Sequence, residues 1–420
     1  MNKYRDLIGR LNYLVFLGVI ILLPFPQLIV RYACLVWFIC WGLEFRWIQK
    51  TNLQSPITNH QSPIPFLLFG LWYAWKILSG LWAPDHEAWA AQIERYLAFA
   101  FLVPVGICGV NEHYNWRTIG KVLVFTCLCA VPLYTLLMTA LFYHRDIIDT
   151  LRWEAVWNYA HANWYGFITD NITNVKHRIH LCTLELFGAY IAFVLYRHKP
   201  RVLIPMLVTI FAFIVFIGSR QAIFTAAILC VVVVLLYLPE QLRKKYGWFI
   251  VLAGITFSGV VLSLHPRMRD LNIRERLQTP PDEETDFARL YIWSAALEHP
   301  SDYLAYGLGA GQSTPYLKKQ YQKKGWDILV KKEYHCHNQY LQELMELGLG
   351  GLLLFLLAWL SIPLCAQGLQ RNMAWVFVTI FGCNMLTECM FNLFCGVSIW
   401  AVLMLLVSVT TPLSSPSRAA

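Results

Sequence analysis

The sharpest candidate for chemistry in this chain is a histidine beside a predicted helix start. His337 directly precedes Asn338, and a helix is predicted to begin near Asn338 and to continue through Leu344. The positive end of a helix dipole disfavours a protonated imidazole, so we expect His337 to be neutral at neutral pH. A neutral imidazole can take a proton from an attacking hydroxyl group. The alternative is a structural histidine, but the position favours His337 as a general base supported by Asn338.

Two arginines are candidates for binding an anion. Arg220 lies between two apolar runs, and Arg289 occupies the first turn of a predicted helix. A charge between apolar runs is costly unless it meets a partner or a ligand, and a guanidinium group can bind two phosphate oxygens at once. These arginines therefore predict a site for a phosphate-bearing lipid. The alternatives are snorkelling of Arg220 to lipid headgroups and a surface salt bridge from Arg289 to Glu283 or Glu284.

Further charged groups accompany these arginines. The polar segment after the ninth apolar run contains Arg267 and Arg269, followed by Arg274 and Arg276. Together they predict a cationic surface under a pyrophosphate group. Glu388 lies near the end of the eleventh apolar run, where an ionisable side chain is a functional candidate by default. An equally good interpretation is that Glu388 neutralises one of the arginines.

Two other patterns point away from metal and nucleotide chemistry. The segment His335-Cys336-His337 contains possible zinc ligands, but side chains two residues apart diverge on a helix. Because no second pair of Cys or His residues lies nearby, we predict no metal site. Gly307, Gly309 and Gly311 are interpreted as a turn rather than a phosphate-binding loop, since no strand precedes them.

The composition predicts that these residues belong to an all-α polytopic membrane protein. The chain has 420 residues, of which 57% are hydrophobic and 14% are charged, whereas about 25% charged residues is usual in soluble domains. Apolar stretches of membrane length recur along the chain. The net charge of +9 is explained by positively charged cytoplasmic loops that lie beside anionic lipid headgroups. No basic run is long enough to indicate nucleic-acid binding. The twelve cysteines show no paired spacing, so they predict small apolar side chains rather than a disulfide framework.

About twelve transmembrane helices are predicted. Residues 1–264 contain nine of them and a periplasmic loop near 143–178, residues 265–346 form a large, partly helical periplasmic loop with the catalytic residues, and residues 347–420 contain the last three helices and a cytoplasmic tail. Lys and Arg cluster in alternate short connections, which places both termini in the cytoplasm. The predicted limits are 11–26, 28–45, 64–82, 96–110, 119–142, 179–196, 202–217, 221–238, 247–264, 347–364, 374–391 and 396–411.

Several of these segments resemble the bacterial O-antigen ligase family, within the wider group of O-antigen ligases and polymerases. The resemblance rests on the order of four patches, on the large late loop and on the helix count. The patches are Ser219-Arg220-Gln221-Ala222, then Ala288-Arg289-Leu290 with Trp293, Ala296-Leu297 and Pro300, then His337-Asn338-Gln339-Tyr340-Leu341 before Glu346-Leu347-Gly348, and an acidic residue in the penultimate span.

The resemblance implies a glycosyltransferase of the bacterial inner membrane with a periplasmic active site. Such a ligase transfers a polysaccharide from undecaprenyl pyrophosphate to the lipid A–core oligosaccharide, with inversion and with no metal or nucleotide cofactor. Arg220 and Arg289 would bind the pyrophosphate, joined by one arginine from the start of the loop, which is Arg267, Arg269 or Arg274. His337 would activate the acceptor hydroxyl group, and Glu388 would match an acidic position that is Asp in some members.

Other functions remain open at this point. A polymerase of the same group would use two undecaprenyl carriers and a similar site, and a protein-directed oligosaccharyltransferase is a further variant. A transporter or flippase for a lipid-linked glycan belongs to a different class, and it would favour charges along several spans and symmetry between halves. No such symmetry is evident in the sequence. The sequence does not define the glycan, the acceptor sugar or the oligomeric state.

Overall fold

The computed structural model describes residues 2–50, 62–111, 113–142, 177–217, 219–263, 281 and 288–408. Within these residues every regular element is helical, and each of the twelve predicted apolar spans contains a helix. The helices are α1 (Asn2–Leu22), α2 (Gln27–Lys50), α3 (Ile64–Leu78), α4 (His86–Arg95), α5 (Leu97–Cys108), α6 (Trp116–Phe142), α7 (Arg178–Tyr196), α8 (Pro200–Ile217), α9 (Arg220–Tyr237), α10 (Glu240–Ser263), α11 (Ala288–Ala296), α12 (Ser313–Lys323), α13 (Asp327–Lys332), α14 (Gln339–Leu364), α15 (Gly368–Met385) and α16 (Phe394–Ser408).

Six of the described helices are long and apolar enough to cross a membrane. They are α2, α3, α6, α7, α8 and α14, and the bent pair of α4 and α5 makes a seventh if it is one span. The apolar parts of α9 and α16 are shorter than 18 residues, which is below the length that a straight helix needs to cross about 30 Å of hydrocarbon. The membrane-protein class is therefore confirmed, whereas the count of twelve spans stays a prediction.

The two predicted periplasmic loops are described to different extents. Residues 143–176 lie outside the described part of the chain, as do residues 265–280 and 282–287. The large loop is described from residue 288 onward, where α11, α12 and α13 confirm that it is partly helical. Gly307, Gly309 and Gly311 lie between α11 and α12 with positive φ angles of 77°, 98° and 79°, so the predicted turn is confirmed.

The chain separates into two compact units, of which the first comprises residues 1–61, 108–223 and 398–420. In this unit α1 packs on α2, and α7 packs against α6 and α8. The carboxylate of Glu44 is buried, and it accepts hydrogen bonds from Asn12 Nδ2 at 2.6 Å and from Asn111 Nδ2 at 3.0 Å. Two amides thus satisfy an acidic group that would otherwise be costly to bury.

The second unit comprises residues 62–107 and 224–397, and it contains most of the predicted site residues. Helix α14 packs against α3 and α15. Buried aromatic rings connect Trp72 of α3 and Phe355 of α14 with Phe99 of α5 and with Phe391 of the segment after α15. The helices of the large loop have their own small apolar core, in which Tyr291, Ile292, Leu317, Tyr321 and Leu329 are joined by Met345 of α14. The loop therefore packs directly on the first turns of α14.

Candidate active site

The start of α14 is fixed by the residue that the sequence singled out as its cap. Asn338 has an extended backbone, and its Oδ1 accepts a hydrogen bond from the backbone N–H of Leu341 at 2.9 Å. This is the usual N-cap arrangement, which satisfies one of the free N–H groups of the first turn. The other end of the same amide donates from Nδ2 to the carbonyl of Leu386 at 3.0 Å. Asn338 thus begins the helix and also ties it to the segment after α15.

His337 occupies the residue before this cap in an uncommon backbone conformation. Its φ angle is +46°, and Glu333 is the other described residue besides glycine with a positive φ. The left-handed region costs about 1–2 kcal/mol for most residues and recurs at functional sites. In this conformation the imidazole faces Glu388. Its Nδ1 lies 3.1 Å from Oε1 and 3.3 Å from Oε2 of that carboxylate.

This pairing decides which ring nitrogen is available for chemistry. A carboxylate beside Nδ1 holds the proton of a neutral imidazole there, and it leaves the Nε2 lone pair as the basic site. The helix N-terminus by itself disfavours the imidazolium ion. The structure adds an adjacent carboxylate that stabilises the imidazolium ion formed when Nε2 accepts a proton. The pair is therefore suited to general-base chemistry.

Glu388 lies at the centre of a charged group and not within a helix. Helix α15 ends at Met385, so Glu388 belongs to the irregular segment before α16, which corrects the prediction that it lies within the eleventh span. Its side chain is only 5% exposed, and its Oε2 lies 3.6 Å from a terminal nitrogen of Arg289. Both interpretations of Glu388 are compatible with this geometry, because one carboxylate contacts the histidine and an arginine.

Arg289 lies in the first turn of α11, as predicted, and its side chain is 40% exposed. The described part of the chain pairs it with Glu388, while the alternative partners Glu283 and Glu284 lie outside the described residues. A half-exposed guanidinium group can contact a carboxylate on one edge and still present N–H donors to an anion on another. The geometry therefore agrees with an anion-binding role beside His337.

His335 is a site residue that the sequence reasoning considered only as a metal ligand. Its ring centroid lies 4.0 Å from that of His337, and its Nδ1 accepts a hydrogen bond from the backbone N–H of His337 at 3.1 Å. Its Nε2 lies 3.5 Å from Oε1 of Glu388. Because Nδ1 accepts, a neutral His335 carries its proton on Nε2, facing the carboxylate. His335 thus supports both the backbone turn at His337 and the position of Glu388.

The same arrangement corrects the prediction that the side chains of His335 and His337 diverge as they would on a helix. Residues 335–337 are not helical, so their side chains do not diverge, and ligand atoms of His335, His337 and Glu388 lie within 4.8 Å of one another. Such spacing is compatible with a metal ion. However, Arg289 already supplies positive charge to Glu388. That the protein works without a metal stays a prediction.

The remaining predicted phosphate ligands are described less fully. Arg220 is the first residue of α9, preceded by buried Ser219, and it lies in the first unit. Ser219 Oγ accepts a hydrogen bond from the backbone N–H of Ala222 at 3.4 Å, as a helix cap would. Arg267 and Arg269 lie outside the described residues. Their roles stay predictions.

A buried charge cluster is formed by Lys76 of α3 with Glu343 and Glu346 of α14. The Lys76 Nζ lies 3.1 Å from Glu343 Oε2 and 3.0 Å from Glu346 Oε2, and all three side chains are 0% exposed. Each carboxylate oxygen that does not contact Lys76 accepts another hydrogen bond. The donors are Gln339 to Glu343 at 2.8 Å, and Ser313 and Gln342 to Glu346 at 2.8 and 2.9 Å.

Sequence reasoning missed this cluster, although a signal for it existed. A lysine within one apolar span and two acidic residues three positions apart at the start of another are each costly alone. The shared ammonium group and the hydrogen bonds to the remaining carboxylate oxygens offset part of that cost. Glu343 and Glu346 follow His337 by about two helical turns, so the cluster fixes the helix that begins beside the site.

A backbone contact connects the large loop to the same part of α14. Gly348 has a φ of +69°, which interrupts the helix. The carbonyls of Met345 and Glu346 then accept hydrogen bonds from the N–H groups of Leu308 and Gly309 at 2.8 and 2.9 Å. A side chain at Gly348 would place its Cβ 2.7 Å from the carbonyl oxygen of Ala305. Only glycine fits such a close backbone approach.

Comparison with known proteins finds a family match over part of the chain. Residues 205–356 match a family model described as O-antigen ligase, a range that includes Arg220, Arg289, His337 and the two glutamates of the buried cluster. No curated protein matches the chain significantly. The match supports a glycosyltransferase of the O-antigen ligase and polymerase type in a membrane protein. Over residues 205–356, this chain is therefore similar to the O-antigen ligase family.

Proposed function

We propose that this protein is an O-antigen ligase that transfers a polysaccharide from undecaprenyl pyrophosphate to the lipid A–core oligosaccharide at the periplasmic face of the inner membrane. The single observation that carries the proposal is the contact of His337 Nδ1 with Glu388 at 3.1 Å, with Arg289 3.6 Å from the same carboxylate, inside a chain of this family. A base and a cation thus lie beside one another.

In the proposed reaction, His337 Nε2 takes the proton of an acceptor sugar hydroxyl group. The resulting nucleophile attacks the anomeric carbon, and the bond from that carbon to the lipid pyrophosphate breaks on the opposite face, so the configuration inverts. Glu388 stabilises the imidazolium ion that forms. The donor bond supplies the energy of the transfer, so neither ATP nor a metal is required.

The leaving pyrophosphate gains negative charge as the bond breaks. Arg289 is proposed to stabilise that charge, because a guanidinium group placed on a leaving oxyanion interacts more strongly in the transition state than in the ground state. Arg220, and one of Arg267, Arg269 and Arg274, are proposed to bind pyrophosphate, as the family resemblance implies.

The test is transfer by the purified protein, with lipid-linked glycan and lipid A–core in a defined mixture. We expect His337→Asn to lower kcat by about 10²-fold or more, because asparagine tolerates a positive φ but is not a base at neutral pH. The matched control is His299→Asn, which changes an exposed histidine of the same loop. Full activity of His337→Asn would remove the proposed base.

The same assay addresses the other expectations. A chelator is expected to leave the rate unchanged. Replacing lipid A–core by a second lipid-linked repeat unit should give no product, and product formed only with that acceptor would identify a polymerase. Glycan that crosses the bilayer with no new glycosidic bond would identify a transporter.

A further inference from the structure

Two buried cysteines lie beside the two key residues of the proposed site. Cys336 precedes His337, and Cys389 follows Glu388. Their Sγ atoms are 3.6 Å apart, and the side chains are 0% and 2% exposed. Both lie in irregular segments, between α13 and α14 and between α15 and α16. The pair thus bridges the segment of the general base and the segment of its carboxylate.

We propose that Cys336 and Cys389 form a disulfide that links these two segments covalently and holds His337 against Glu388. The inference rests on the proposed function in one respect, because a periplasmic site is exposed to oxidising conditions whereas a cytoplasmic one is not. A disulfide requires the sulfur atoms to approach by about 1.5 Å to reach the normal bond length. Irregular backbone on both sides can absorb a shift of that size.

The reaction is a two-electron oxidation by thiol–disulfide exchange. One thiolate attacks the disulfide of an oxidising protein, which forms a mixed disulfide and releases one thiolate of that protein. The second cysteine then attacks the mixed disulfide, which closes the Cys336–Cys389 bond and releases the oxidant as a dithiol. The two thiol protons leave with the two electrons.

Two hydrogen bonds tie the segments of Cys336 and Cys389 to their neighbours. Asn338 Nδ2 donates to the carbonyl of Leu386 at 3.0 Å, and Trp293 Nε1 donates to the carbonyl of Cys336 at 2.9 Å. Both cysteines belong to the apolar core of the loop helices. Burial also raises the pKa of the Cys389 thiol, which slows its reaction in the folded protein. The bond therefore forms during folding, before the core closes.

The primary experiment identifies the bond directly in the full chain. Cells are quenched with acid, free thiols are alkylated under denaturing conditions without reductant, and the digest is analysed by mass spectrometry. We expect a peptide pair joined through Cys336 and Cys389, which separates after reduction. Alkylated Cys336 and Cys389 in unreduced wild-type protein would overturn the proposal.

Two variants test the specificity of the bond. In Cys389→Ala, Cys336 is expected to become fully alkylated before reduction. The matched control is Cys395→Ala, which changes another buried cysteine nearby, and it should leave the linked peptide intact. Linkage of Cys336 to a different cysteine in wild type would also contradict the proposed pairing.

Thermal stability gives a second measurement that does not depend on activity. If the cysteines form one bond, Cys336→Ala and Cys389→Ala each remove all of it, so each single variant should lower the apparent Tm about as much as the double variant. Additive losses would show two independent buried thiols and would overturn the bond.

The outcomes for the bond and for the proposed function can be told apart. A linked peptide together with full activity of His337→Asn would keep the disulfide and reject the general base. Free thiols together with an inactive His337→Asn would reject the disulfide and keep the ligase chemistry.

Discussion

At the scale of single residues, the candidate site depends on one carboxylate that serves several neighbours. Glu388 contacts His337, His335 and Arg289 within 3.1 to 3.6 Å. It orients a base and at the same time balances the charge of an arginine. A nearly buried carboxylate without these partners would be strongly unfavourable. We therefore propose that Glu388 acts through its neighbours, as a positioning residue for His337.

Replacing Glu388 tests this role. Glu388→Gln keeps the shape but removes the charge that stabilises the imidazolium ion, so we expect kcat to fall by about 10²-fold or more with a smaller change in KM. Glu388→Asp should retain part of the activity. Steady-state kinetics with the exposed control Glu298→Gln would measure the effect, and an unchanged kcat in Glu388→Gln would exclude the proposed role.

At the scale of elements, α14 is the helix on which the site depends. Its N-cap holds Asn338, its next turns hold Glu343 and Glu346, and its interruption at Gly348 accepts the large loop. The buried cluster with Lys76 ties this helix to α3. These three sets of contacts hold the start of α14, and with it His337, in place. A general base has to be positioned in this way.

The buried charge cluster is open to a stability test. Lys76→Met leaves Glu343 and Glu346 buried without their cation, and we expect the free energy of unfolding to fall by about 3–5 kcal/mol. A triple variant, with Glu343→Gln and Glu346→Gln added, should recover most of that loss because it buries no unpaired charge. Denaturant titration in detergent would measure it, with the exposed Lys245→Met as control. Equal stability of Lys76→Met and wild type would mean that the cluster does not contribute to the free energy of unfolding.

The glycine contact between the loop and α14 gives another prediction. Gly348→Ala places a Cβ at a positive φ and 2.7 Å from a carbonyl oxygen, so we expect a loss of about 2 kcal/mol or more. Gly350→Ala is the matched control on the same helix, because its Cβ would have no atom within 4 Å, and it should be neutral or slightly stabilising. Similar apparent Tm values for the two variants would contradict the proposed strain.

At the scale of the whole molecule, the proposed chemistry requires a particular orientation in the membrane. The exposed Lys319 of α12 should face the periplasm, and the exposed Lys199 between α7 and α8 should face the cytoplasm. We expect Lys319→Cys, but not Lys199→Cys, to react with a membrane-impermeant maleimide in intact spheroplasts, with wild type as the background. The opposite labelling pattern would place the candidate site on the wrong side for a ligase.

The sequence determined the class of this protein, the presence of a helix in every predicted apolar span and the identity of His337, Asn338 and Arg289 as candidates. These features depend on local patterns: apolar length, a cap residue and a charge in a particular turn. The number of membrane crossings did not follow, because only six of the described helices, or seven with the bent pair, are long and apolar enough to cross a membrane.

Only the tertiary structure decided which residues meet. Glu388 and His337 are separated by 51 residues, Lys76 and Glu346 by 270, and Cys336 and Cys389 by 53. No local pattern encodes such pairings, because they arise when apolar helices pack and leave buried polar groups to find partners. The candidate reactive groups could therefore be predicted from the sequence. Their partners could not, because they depend on which charged groups come together when the helices pack and bury them.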